Sequence, residues 1–131
     1  MLVGGCEMPS PEEIRSVMEQ YIKHLSGGDP DEMMKLFADE ATVEDPVGGE
    51  VLEGRETLRG FYAATSPNLR VEITGPIRVA GKECAMPMLA QLTMNEQKLY
   101  IDVIDVMTFD DEGKITGMRA FWNPAEMRPT R

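Results

Sequence analysis

In the stretch ATVEDPVGG, residues 41–49, alternation along a short strand running into a turn puts Ala41, Val43, Asp45 and Val47 on one face and Thr42 and Glu44 on the other. A carboxylate on the apolar side is costly unless something compensates it. The same conflict recurs twice. Over residues 98–109 one parity reads Leu99, Ile101, Val103, Asp105, Met107, Phe109, so Asp105 is the sole ionisable residue on the more apolar face, while Asp102 lies on the mixed one. On the helical stripe Ile14, Val17, Met18, Tyr21, Ile22, Leu25, the residue Tyr21 carries a phenol into the core. Three polar groups on three core-facing stripes point to a cavity with a chemical task.

Their chemistry follows from their surroundings. An apolar setting disfavours the carboxylate anion, and a second carboxylate nearby pushes the same way, so Asp105 is a candidate to stay protonated and donate a hydrogen bond. A buried aspartate satisfied by backbone amides would show the same pattern. Asp45 sits at a strand end beside Pro46 and Val47-Gly48-Gly49, where partial solvation could keep it ionised as a base must be; an ordinary turn aspartate before proline is the plainer alternative. Tyr21 could equally spend its hydroxyl on a backbone carbonyl. Taken together, a carboxylate base, a phenol donor and a neutral carboxyl donor suit the removal of a proton next to a carbonyl, with the two donors receiving the charge that builds on its oxygen. Such a set calls for no metal and no cofactor.

The elements that must position these residues are readable from spacing. Ser10 as cap, Pro11 and Glu13 open a first helix, which Gly27-Gly28 ends. Asp29-Pro30-Asp31-Glu32 repeats the start signal, with Glu32 expected to reach back to the cap and Met33, Met34 and Phe37 buried by a short second helix. Residues 54–64 read as a third helix with Leu58, Phe61 and Tyr62 inward. From Leu69 on the period becomes two, giving expected strands at 69–74, 77–80, 83–94, 98–109 and 115–122. Pro87 predicts an edge position or a bulge in the third of these. Residues 1–9 read as a frayed leader, 10–124 as a single domain and 125–131 as a loose tail. Helices followed by a meander of antiparallel strands indicate an α+β domain, a curved sheet closed on its concave side by three helices around an apolar pocket.

Composition narrows the partners. With 42% apolar and 27% charged residues in 131, the chain suits one globular domain, and no apolar run approaches a membrane helix. A formal charge of −10 argues against nucleic acid and against anionic membranes, but not against a neutral ligand. Cys6 and Cys84 read as reduced thiols, and the opening MLVGGCEMPS lacks a secretory pattern, so a cytoplasmic location is expected.

At these residues the chain resembles the Δ5-3-ketosteroid isomerases, small cofactor-free enzymes with the cone-shaped fold of nuclear transport factor 2. The matching stretches are EQYIKHLSGGD around Tyr21, LFADEATVEDPVGG, FYAAT, IDVIDVMTFDDEGKI and MRAFW, spread over residues 12–122. ATVEDPVG is the most specific of them. The resemblance implies that Asp45 is the proton-shuttling base and that Tyr21 and Asp105 are the oxyanion-hole donors. A neutral carboxylic donor is already known in that family, so the expectation for Asp105 comes partly from the likeness. It further implies that Tyr62 supports Tyr21 by a hydroxyl–hydroxyl bond, that Trp122 lies near the base, and that Phe37 stands where some members extend the network with a tyrosine. Phe61, Met86, Met88, Met107, Met118 and Trp122, with Met33 and Met34, are candidates to line an adaptable pocket for a flat, neutral, steroid-like substrate, though methionines also fill cores. A homodimer is implied by the same likeness.

Overall fold

The structure, a computed structural model, describes residues 9–131; the expected leader, with Cys6, otherwise lies outside the described residues. Helix α1 (Pro11–Leu25) starts with a complete capping box: the Ser10 hydroxyl accepts from the Glu13 amide at 3.1 Å, and the Glu13 carboxylate accepts from the Ser10 amide at 2.7 Å. Ile14, Met18, Tyr21 and Leu25 form its buried stripe. Helix α2 (Pro30–Met34) is shorter than its start signal suggests. Asp29 caps the Asp31 amide at 2.8 Å, but Glu32 does not reach back; it pairs with Lys35 at 2.7 Å, an ionised partner that a neutral amide cannot match.

Phe37 does not belong to that helix. The Arg55 guanidinium donates to the carbonyls of Met34 and Phe37 at 2.8 and 2.9 Å, ending the helical hydrogen-bond pattern, and β1 (Phe37–Glu44) begins there. A three-residue strand β2 (Val51–Glu53), too short to show a period in the sequence, pairs antiparallel with β1 before α3 (Arg55–Thr65).

The remaining strands are β3 (Leu69–Ile73), β4 (Arg78–Ala80), β5 (Glu83–Met94), β6 (Gln97–Phe109) and β7 (Ile115–Phe121). They form one seven-stranded sheet in the order β2-β1-β7-β6-β5-β3, with β4 also on β5. Every pairing is antiparallel except β1 with β7. The long β5–β6 hairpin turns at Asn95-Glu96, both at positive φ (51° and 68°), the conformation whose twist matches that of the flanking strands. Pro87 pairs with Ile104 on β6 and lies in the gap on its other side, between the residues paired to β4 and those paired to β3. The curved, open sheet holds the three helices against its concave face, the cone-shaped arrangement expected.

The stretch 125–131, expected to be loose, is held. Strand β7 stops opposite Ile104, so the backbone of Tyr100 further along β6 has no partner there. Arg128 fills that place with two backbone bonds to Tyr100 at 2.8 and 3.0 Å, and its guanidinium reaches Asp102 at 3.1 Å.

Replacing Ser10 with Ala removes one half of the capping box. The expected outcome is a loss of about 1 kcal/mol, read as a lower urea midpoint with an unchanged slope.

Candidate active site

Helix α1, the end of β1 and the middle of β6 converge on one cavity of about 330 Å³ between the helices and the sheet, and Tyr21, Asp45 and Asp105 all lie on its wall. Each arrives there by its own periodicity. Tyr21 continues the buried stripe one turn after Met18, and Asp105 follows Ile101 and Val103 on the inward parity of β6. Asp45 is the first residue beyond β1, and the loop after it is drawn onto β7 by a bond from the Val47 amide to the Ala120 carbonyl at 2.8 Å.

Asp105 has the most demanding environment. It is 1% exposed, and neither carboxyl oxygen has a hydrogen-bond partner among the described residues. Satisfaction by backbone amides is therefore not the explanation of its burial. Desolvation raises its pKa well above the usual aspartate value, and the charge of Asp45 pushes the same way. Both effects favour the neutral acid, whose O–H would lie on the cavity wall.

The Tyr21 and Tyr62 hydroxyls lie 2.9 Å apart, their rings edge-to-face with centroids 5.9 Å apart. Both are fully buried, and burial raises both pKa values well above the phenol range. Tyr21 lines the cavity and Tyr62 does not. If Tyr62 donates to the Tyr21 oxygen, the Tyr21 proton is left for a guest. Phe37 packs against both rings, with centroids 6.4 and 5.7 Å away, and brings no hydroxyl, so the network ends with this pair.

Asp45 is half-buried, and the Trp122 indole N–H donates to its Oδ1 at 2.6 Å. Burial raises the Asp45 pKa, and the indole bond, which favours the anion, acts against that rise. One oxygen of Asp45 is thus anchored by the indole.

Of the residues expected on the wall, Phe61, Met88 and Trp122 are there. Met86, Met107 and Met118 are not: they are buried in the core, as are Met33 and Met34. Parity put the first three on the concave face correctly. Their place along the strands differs, since Met86 is level with Asp105 and Met107 is paired with Cys84 and Met118 one step beyond it, where the core is filled solid. Met127 and Met94 were missed as wall residues. Met94 could have been found from its shared parity with Met88 on β5; Met127 belongs to the tail that only tertiary contact holds.

Among the described residues, no histidine or arginine lines the cavity. Arg119 faces the other side of the sheet and pairs with Glu44 at 3.2 Å. Among the described residues, no three His, Cys, Asp or Glu side chains gather in a way that could hold a metal ion, and no helix is long and apolar enough to cross a membrane.

Residues 18–118 match the SnoaL-like domain family. The chain belongs to that family. This SnoaL-like domain is 36% identical to the Steroid Delta-isomerase of Nocardioides simplex over 116 residues, covering 88% of this chain and 94% of that protein. It is 26% identical to Epoxide hydrolase LasB of Streptomyces lasalocidi, covering 91% of this chain but only about half of LasB (51%). The solved structure of SalBIII, an epoxide hydrolase/cyclase-like enzyme with a role in pyran ring formation in the polyether salinomycin, superposes with a TM-score of 0.88 at 29% identity, covering 94% of this chain and 100% of that one. The likeness to steroid isomerases thus spans most of the SnoaL-like domain, and these relatives are enzymes built on the nuclear transport factor 2-like fold.

Because folding raises the Asp105 pKa, the native state keeps a proton that the unfolded chain releases above about pH 4. Its contribution to stability is full below that pH and is lost as pH rises toward the native pKa. Asp105→Asn removes this dependence, so the stability of the variant relative to wild type should increase from pH 5 to pH 8 in urea titrations. A difference independent of pH would mean that Asp105 titrates as an exposed aspartate does.

Proposed function

We propose that this SnoaL-like domain isomerises a Δ5-3-ketosteroid to the conjugated Δ4-3-ketosteroid by intramolecular proton transfer, without a cofactor. The observation that carries the reading is the joint presence, on one apolar wall, of a partnerless buried carboxyl, a buried phenol and a carboxylate with one free oxygen. The 36% identity to a steroid delta-isomerase supports the same substrate class.

In the proposed cycle the substrate ketone accepts hydrogen bonds from Tyr21 and from protonated Asp105. Asp45 Oδ2 takes a proton from the carbon between the ketone and the isolated double bond, and the electron pair left behind spreads into a dienolate. Negative charge builds on the ketone oxygen, against two donors already desolvated and oriented, which is where such donors act most strongly. Asp45 then returns the proton two carbons further along, so no proton is gained or lost overall. Trp122 holds Asp45 by its other oxygen through both transfers, and Phe61 and Met88 supply apolar surface for the rings. Tyr62 acts through Tyr21 and does not touch substrate.

Opening of an epoxide, or a cyclisation, could draw on the same acid and base, and the likeness to LasB and SalBIII bears on that reading. The cavity wall carries no cationic side chain to hold two acids in opposite protonation states around a nucleophile, which favours enolisation. A non-catalytic carrier of apolar ligands would have no use for a desolvated carboxyl without a partner. Pairing of two copies is proposed through the outer sheet face, where Ile104 and Phe121, partners in the β6–β7 ladder, remain 48% and 41% exposed.

Addition of a β,γ-unsaturated 3-ketosteroid should produce the ultraviolet absorption of the conjugated enone, and no absorption at high enzyme concentration with the fold intact would remove this reading. Asp45→Asn should abolish turnover while steroid affinity persists. Tyr21→Phe and Asp105→Leu should each lower the rate by about 10²–10³. Light scattering should give the mass of a dimer, and a monomer at assay concentration would remove the proposed pairing.

A further inference from the structure

Asp45 leaves the sheet at the end of β1, and a base on a loop is only as well placed as the loop. Residue 44, its neighbour, points to the opposite face of the strand, and its carboxylate is used at both oxygens. Oδ-type freedom of the kind Asp45 retains is absent: Glu44 Oε2 accepts from the Gly48 amide at 3.0 Å, and Oε1 accepts from Arg119 Nε at 3.2 Å. The first bond closes a ring around Asp45, Pro46 and Val47. Gly48 stands there at φ +99°, a conformation in which L side chains are strained, although a Cβ would meet nothing within 4 Å.

The second bond joins residues that already face each other in the parallel β1–β7 ladder. Arg119 is in turn steadied by the Phe121 ring, 5.1 Å from its guanidinium carbon. Strand β7 and its end therefore grip this loop from both sides: Arg119 holds Glu44, the Ala120 carbonyl holds Val47, and Trp122 holds Asp45. Arg119 is more than half exposed, so its ion pair with Glu44 contributes little to overall stability. Its effect is geometric.

We propose that Glu44 is a positioning residue, whose carboxylate ties the loop bearing Asp45 to its own strand and to β7 and so sets the approach of Asp45 to the cavity. The proposal rests on Asp45 being the base. The donors around Glu44 keep it ionised, the Gly48 amide first and Arg119 second, both lowering its pKa. A lateral error on the order of 1 Å in a reacting group lowers rates by about 10²-fold, which sets the size of the expected effect.

The chain has one tryptophan, so a proton–nitrogen correlation spectrum contains a single indole N–H signal, and that N–H is the one bonded to Asp45. The signal reports the placement of Asp45 without any turnover. Glu44→Ala should move it toward its position in Asp45→Asn and lower kcat by about 10- to 100-fold at unchanged KM. Glu44→Gln keeps an oxygen for the Gly48 amide and should restore most of both. An indole signal and kcat like wild type in Glu44→Ala would overturn the proposal, as would a Glu44→Gln variant no better than Glu44→Ala. If wild type turns over no ketosteroid, the proposed isomerisation fails, while the indole comparison still decides whether Glu44 positions Asp45.

Discussion

A carboxyl group held out of water with no protein partner is the constraint on which the rest of this structure depends. Asp105 is buried among Met86, Val103, Met107 and Ala120, and both its oxygens are left open. Ionised and unpaired, such a group would cost more than the stability a small domain has to spare. The fold tolerates it by letting it stay neutral. The carboxyl is packed on one side by these neighbours and borders the cavity on another.

The other features follow from that choice. Asp45 does not share that depth; it stands at a strand end, half-buried, with an indole N–H favouring its anion. The charge on Asp45 adds to the rise in the Asp105 pKa, so the environments of the two acids differ in depth and in partners. Tyr21 joins the two acids on the wall, and its hydroxyl is paired with that of Tyr62, which lies off the cavity. The rest of the wall is mostly apolar.

The SnoaL-like fold suits this arrangement because its cavity is built from elements far apart in the chain. A helix near the start, a strand end in the first half and a long central strand each contribute one polar group, and none is bound to another in sequence. Relatives with different names can therefore keep the cone and change the groups that face into it. Here the described wall carries no cationic side chain and holds two acids in different environments.

Much of this was legible in the residues alone, because strand alternation and helical spacing are local. They placed Tyr21, Asp45 and Asp105 on inward faces, and they marked α1, α3, β5, β6 and β7 closely. Local rules failed where a distant partner decides. Arg55 ends α2 and starts β1 at Phe37; Arg128 pins a tail that no period betrays; and Glu32 follows Lys35 rather than its own cap. Parity likewise could not separate Met88 on the cavity wall from Met86 in the core, since both share one face. What separates them is how far along the strand the helices close onto the sheet. By itself the sequence determined which groups turn inward, since side-chain direction is set by backbone period. Only the tertiary structure decided which of them meet empty space and which meet another side chain, since that depends on residues dozens of positions away.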